Sequence, residues 1–376
     1  MSSSFSRRRF LSSAATGSFL ACYGVIDRAS AATPPHITPP VIDKLTIQVI
    51  VDGQHDIFIS GTQAPGIGVE RVRAPASFNG RTLESQWGLS LHLVSTRGTE
   101  TRQYLLDFGF TPDVIGNNLE LLKIDVAKVD ALILSHGHLD HLGGLIGFLK
   151  ANRSAMRDDL RLYVGGEDAF CHRVAKNPDG TFSPYGVLDR HDLKAARVQP
   201  VLSELPIVIE DHAFTTGIIP RTSIEHVLPN TFVVYGEKDG VGCDTIKYGD
   251  HHFTADELAG RPMPDQHWHE HATCFLLGDK GLVVITSCGH AGIINTIRRA
   301  REVTGVTKVH ALCGGFHLAP APADYLKDVM DQLVALDVEH VIPMHCSGSN
   351  FLDAAKSRMP EKLVLCTTGS RFTFTA

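Results

Sequence analysis

Ser135-His136-Gly137-His138-Leu139-Asp140-His141 follows directly on the apolar run Val129-Asp130-Ala131-Leu132-Ile133-Leu134. A short run rich in leucine and isoleucine reads as a buried strand, so His-Gly-His opens a loop at its C-terminal edge. Four potential metal ligands, His136, His138, Asp140 and His141, fall within six residues. Imidazole nitrogen and carboxylate oxygen suit Zn²⁺, and the His-x-His alternation lets one loop offer two nitrogens to one ion. Asp140 and His141 follow at a spacing that serves a second ion beside the first.

The last ninety or so residues repeat the pattern. Gly281–Thr286 leads into Ser287-Cys288-Gly289-His290, Lys308–Cys313 into Gly314-Gly315-Phe316-His317, and Val338–Pro343 into Met344-His345-Cys346. Amphipathic segments at about 293–303 and 325–336 separate the three apolar runs. Three strand-helix steps therefore deliver His290, His317 and His345 to the same edge of a sheet. Any one of them alone reads as a packed histidine; three at successive strand ends read as ligands.

Upstream of the metal loop, Leu45–Val51 reads as a strand and residues 53–83 as loop. Trp87–Leu93 and Tyr104–Asp107 form a hairpin turning near Arg97-Gly98 and ending in Asp107-Phe108-Gly109. Short helices are expected at 117–122 and after Gly143-Gly144, and a strand at 160–164. Strand, loop, helix, strand is an α/β progression with the site where sheet ends place it.

Residues 166–280 carry Pro, Gly and charge without sustained periodicity, and read as an insertion over the site. Within it, His267-Trp268-His269-Glu270-His271 alternates, so a strand there would put His267, His269 and His271 on one face. Substrate contact, an accessory metal and an exposed His-rich strand all fit that pattern. Asp250, His251 and His252 show a weaker version of it.

The chain begins with an address. Ser6-Arg7-Arg8-Arg9-Phe10-Leu11 is similar to the twin-arginine export motif. An apolar segment to about Ile26 follows, too short and diluted to span a bilayer, and then Ala29-Ser30-Ala31 as a cleavage site. Residues 1–31 are thus a signal peptide engaging the twin-arginine translocation machinery, and a periplasmic or secreted location is expected. Phe19-Leu20-Ala21-Cys22 offers a lipobox-like alternative with lipid on Cys22. Residues 32–43 form a Pro-rich linker, and 44–376 the folded domain.

Cleavage leaves 345 residues, with 31 basic and 40 acidic ones and a formal charge of −9. That balance argues against nucleic-acid or anionic-membrane partners and leaves a small-molecule substrate. No later segment is long and apolar enough for an integral membrane span. Of eight cysteines one lies in the signal, and the remaining seven, without CxxC spacing, read as buried thiols rather than a disulfide framework. Cys288, Cys313 and Cys346 stand out because each lies near a candidate ligand.

The His-x-His-x-Asp-His stretch resembles the signature of the metallo-β-lactamase superfamily. Trp87-Gly88-Leu89-Ser90, Thr216-Gly217 before Pro220-Arg221, Asp265-Gln266, Cys288-Gly289-His290, Gly314-Gly315-Phe316-His317-Leu318 and His345-Cys346-Ser347-Gly348 occur in order with it. Together they are similar to the 7,8-dihydropterin-6-methyl-4-(β-D-ribofuranosyl)aminobenzene 5′-phosphate synthase-like branch, over about residues 44–374. The resemblance implies an αββα sandwich and a zinc centre, with two ions expected, that activates water against an ester-type bond. Fe and Mn suit the same donors. It also implies that Asp107 props the metal loop from behind.

Sequence order assigns His136, His138 and His290 to one ion and Asp140, His141 and His345 to the other, with His317 near the second. Asp140 also serves to hold the nucleophile in line. Two departures stand against the resemblance. The superfamily's usual bridging aspartate is missing, because the strand ends Cys313-Gly314-Gly315-Phe316-His317. Ile218 occupies a position where the branch commonly carries an acidic residue. The resulting expectation is an exported metal-dependent hydrolase of a phosphoester or lactone; a pterin-linked synthase and a non-catalytic metal-dependent binder are the alternatives.

Overall fold

The computed structural model describes residues 36–59, 64–72, 80–245 and 254–376. The signal peptide, Cys22, the start of the linker and the Asp250-His251-His252 stretch lie outside the described residues.

Two sheets pack face to face with helices on both outer sides. The first has eight strands in the order Gln199–Leu202, Arg161–Val164, Ala131–Leu134, Glu100–Leu106, Ser90–Arg97, Lys44–Val51, Ser370–Thr375, Ile67–Arg71. The second has seven. Val208–Ile209, Ala213–Thr215, Thr273–Leu277, Gly281–Thr286, Val309–Gly315 and His340–Met344 run in order, and Val41–Ile42 pairs alongside Thr273–Leu277.

Alternation along each strand builds the layers, because successive side chains point to opposite faces. Ala131 and Ile133 face the space between the sheets, where they meet Phe275, Val283, Ile285 and Ile342. Leu132 and Leu134 face outward onto Phe148 and Leu149 of the helix Leu145–Asn152, and onto Ile115 of the helix Pro112–Leu121. In the second sheet Val283 and Ile285 point inward, while Leu282 and Val284 pack beneath Ile294, Ile297 and Val303 of the helix Ile293–Thr304. Val329 and Met330 of the helix Ala323–Ala335 join that outer layer. Strands buried on both faces read as unbroken apolar runs, which is why they were visible in the sequence.

Strand direction positions the site. Glu100–Leu106, Ala131–Leu134 and Arg161–Val164 are mutually parallel, and so are Gly281–Thr286, Val309–Gly315 and His340–Met344. All six C-terminal ends belong to two parallel runs, and the loops that follow them meet.

Some expectations are corrected. Residues 53–83 include the strand Ile67–Arg71, which pairs with Ser370–Thr375; its five residues, IGVER, are too polar to announce a strand. The segment 166–280 is not one insertion. Its strands His172–Lys176, Phe182–Pro184, Phe232–Val234 and Met263–Pro264 form a separate small sheet, while Gln199–Leu202, Val208–Ile209, Ala213–Thr215 and Thr273–Leu277 belong to the two main sheets. Cys171 and Cys243 form a disulfide, leaving Cys274, Cys288, Cys313, Cys346 and Cys366 as buried thiols. The two bonded cysteines lie 72 residues apart, so spacing could not pair them. Cys313 sits in the inter-sheet core and not at the site.

Candidate metal centre

Asp107 is the prop of the first loop. It ends the strand Glu100–Leu106 at a left-handed φ of 59°, which turns its side chain under the neighbouring loop. One carboxylate oxygen accepts the Ser135 backbone N–H at 2.8 Å, and the other accepts the Ser135 hydroxyl at 2.7 Å and faces His141 Nδ1 at 2.7 Å. The Ser135 hydroxyl in turn lies 2.9 Å from His136 Nδ1. His136 and His141 are therefore held through Nδ1, leaving their Nε2 atoms free.

Gly137 is required by crowding, since a Cβ there would collide with the Ala169 carbonyl and the Arg173 guanidinium. Its N–H donates to His269 Nε2 at 2.9 Å. A Cβ on Gly88 would likewise strike the Asp140 carbonyl, and the adjacent Leu89 N–H donates to that carbonyl at 3.3 Å.

The second sheet supplies the other wall. The His290 ring lies 5.0 Å from that of His136 and 4.9 Å from that of His138, and His345 lies 5.0 Å from His141. His345 Nε2 approaches Asp140 Oδ2 at 3.2 Å, and His141 Nε2 lies 3.8 Å from the same oxygen. Ligand atoms of His136, His138 and His290 fall within 4.8 Å of one another. His317 differs from its expected place: its ring lies 4.2 Å from His290, in the first set, and its Nδ1 is 3.6 Å from Cys288 Sγ. His317 and His345 both have left-handed φ, 46° and 48°. Non-glycine residues hold that conformation only when their surroundings enforce it.

Carboxylates hold these loops from behind. Glu270 accepts the backbone N–H groups of His290 and Ala291 at 3.0 and 2.6 Å, and Asp52 accepts that of His345 at 2.7 Å. The stretch His267 to His271 is a buried loop and not an exposed strand. His267 stacks on His290 with centroids 3.9 Å apart, while His271 Nε2 lies 3.0 Å from the Leu134 carbonyl. His267 and His269 both lie beside His136, with ring centroids 5.9 and 6.5 Å away.

Sequence reading missed several neighbours. Thr231 Oγ1 lies 2.7 Å from His138 Nε2, and Asn230 sits between His267 and His290. Arg173, fully buried, bonds Asp265 at 3.0 Å and His269 at 3.1 Å. All come from the region between the main strands, far in sequence from the loops they touch, and their residue types carry no spacing signal. Trp87 marks the mouth, 54% exposed with its ring 4.8 Å from His345.

Burial, reinforced by neighbouring imidazoles, holds His136, His138 and His290 well below the ordinary histidine range, so each is neutral with a lone pair to give. Burial alone would push the Asp140 carboxyl up. His141 and His345 outweigh it and hold the carboxyl below the usual range, ionised.

His136 Nε2, Asp140 Oδ1, His141 Nε2, His290 Nε2 and His317 Nε2 are all buried without a hydrogen-bond partner. Each such atom costs roughly 1–3 kcal/mol. Five together approach the whole stability of a domain, about 5–15 kcal/mol. Converging, neutral or anionic donors without partners fit divalent metal ions, which relieve that cost.

The chain matches the model of the metallo-β-lactamase superfamily over residues 93–268. That match spans 176 of the 376 residues, just under half of the chain. A 7,8-dihydropterin-6-methyl-4-(β-D-ribofuranosyl)-aminobenzene-5′-phosphate synthase from Methanocaldococcus jannaschii is 28% identical over 270 residues, 70% of this chain and 82% of the relative. A UPF0173 metal-dependent hydrolase from Bacillus licheniformis is 35% identical over 83 residues, 22% of this chain and 35% of its own. Among solved structures, Tm1679, a metal-dependent hydrolase of the β-lactamase superfamily, superposes with a TM-score of 0.60 at 22% identity, covering 87% of this chain and 98% of its own. The superposition agrees with the αββα sandwich built from the sequence.

Proposed function

We propose that the protein is a metal-dependent hydrolase acting on an ester-type bond of a small molecule, a phosphoester or a lactone. The observation that carries this reading is the set of unpartnered, buried ligand atoms contributed by both sheets. His136, His138 and His290 hold one ion and Asp140, His141 and His345 the other, with His317 beside the first. Zinc suits these donors, as do iron and manganese. Such ions would supply Lewis acidity and lower the pKa of water in contact with them.

The chain's own residues do the rest. Asp107 fixes His141, and through Ser135 it fixes His136. Asp140 keeps Oδ2 toward His345 and its unpartnered Oδ1 toward the metal site, where it would hold the second ion and keep the attacking water in line. Thr231 sets the direction of the His138 ring.

Metal content of the purified protein, measured beside hydrolysis of a chromogenic phosphodiester and a lactone, tests this. Two zinc equivalents with turnover support it; absence of metal sinks it. The similarity to the archaeal synthase over 70% of the chain favours a second reading, pterin-linked synthesis. Binding of a reduced pterin without hydrolysis of either ester would select it.

We also propose export through the twin-arginine route to the periplasm or beyond. The Arg7-Arg8-Arg9 motif supports this, and so does the Cys171–Cys243 disulfide, a bond suited to oxidising compartments. Replacing Arg7, Arg8 and Arg9 with lysine should retain the precursor in the cytoplasm; unchanged fractionation would discard the route.

A further inference from the structure

The strand Val309–Gly315 ends without the carboxylate that bridges two ions in the superfamily this chain resembles, and a neutral imidazole cannot replace it. We propose that the thiolate of Cys288 is the bridging ligand of this centre. The inference rests on the reading that the site holds metal.

Position carries it. Cys288 Sγ falls within 4.8 Å of ligand atoms in three separate groups: with His136 and His141, with His290 and His317, and with His345 and Cys346. The first of these groups comes from the metal loop of the first sheet; the others stand on the strand ends of the second. One sulfur thus lies within that distance of members of both proposed ion sets, from His136 and His141 on one side to His290 and His345 on the other. The side chain is 2% exposed, so no solvent competes for it. Thiolate sulfur is an established donor to zinc and has lone pairs enough for two ions.

Cys346 has a different task. Its Sγ accepts the His317 N–H at 3.2 Å and lies 3.0 Å from Cys288 Sγ. It holds the second histidine turn and lies against the bridging sulfur. Cys313, in the inter-sheet core, has no part.

X-ray absorption at the zinc edge of the zinc-loaded full-length mature protein tests the assignment. A sulfur shell at about 2.3 Å is expected. It should persist in Cys346→Ser and vanish in Cys288→Ser, with bound zinc falling from two equivalents to one. Should Cys288→Ser fail to fold, the wild-type and Cys346→Ser spectra still decide. Two bound zinc ions with only nitrogen and oxygen neighbours would overturn the bridge and leave the metal reading standing. A sulfur shell lost in Cys346→Ser but kept in Cys288→Ser would overturn the assignment. No retained zinc would overturn the metal reading and this one with it.

Discussion

Asp107 Oδ2 and His141 Nδ1 lie 2.7 Å apart with both side chains fully shielded from solvent. A carboxylate behind an imidazole fixes its tautomer and raises the basicity of the opposite nitrogen, and losing such a partner lowers metal affinity roughly 10–100-fold. Asp107→Ala is expected to show that drop in a competition titration with a chelator. An unchanged affinity would mean that the pair serves the fold alone.

His138 comes from the same loop, with the Thr231 hydroxyl 2.7 Å from its Nε2. His138→Ala should abolish metal-dependent turnover and lower bound metal, read by elemental analysis beside the ester assays. Full activity in that variant would remove His138 from the centre.

Glu225 gives a pH signature of its own. Burial raises its carboxyl to about 7, against the lowering effect of hydrogen bonds from the Asn295 N–H, the Ser223 hydroxyl and the Ile294 N–H. Between its unfolded value of 4.5 and about 7 the folded chain keeps a proton that the unfolded chain has lost. Stability contributed by this group therefore falls as pH rises through that window and levels off above it. Glu225→Gln should flatten the corresponding slope in urea midpoints measured from pH 4.5 to 7.5. Parallel wild-type and variant curves would contradict this.

The Cys171–Cys243 bond closes a loop across 72 residues and joins the start of the small sheet to the end of the short strand Val241–Gly242. Cys171→Ala with Cys243→Ala should cost about 2–4 kcal/mol, seen as a lower urea midpoint, and reductant should then have no further effect on the variant. A reductant-sensitive variant would point to a different bond.

Much of this was legible because metal chemistry and parallel strands both leave local marks. Ala131–Leu134 and Gly281–Thr286 are apolar on both faces, and each runs straight into its histidine, so element and ligand were read together. Ile67–Arg71 and the small sheet were not legible, because their residues are half-exposed and their partners lie far along the chain. Order along the chain says nothing about which way a left-handed turn at φ 46° aims the His317 ring, which lies 4.2 Å from that of His290. His267 and His269 alternate as in a strand, yet the Asp265 carboxylate accepts the His267 N–H and folds that stretch into a buried loop.

The candidate histidine ligands divide evenly by origin: His136, His138 and His141 stand on the first sheet, His290, His317 and His345 on the second. An ion held by both works as a rivet through the seam between them. A ligand that only the assembled pair can bind adds RT ln(1 + [L]/Kd), about 4 kcal/mol at a thousandfold excess over Kd. That increment opposes any sliding of one sheet over the other. Chelation should therefore loosen the two halves of the chain from each other along with emptying the centre, and the reaction would be lost together with the clamp.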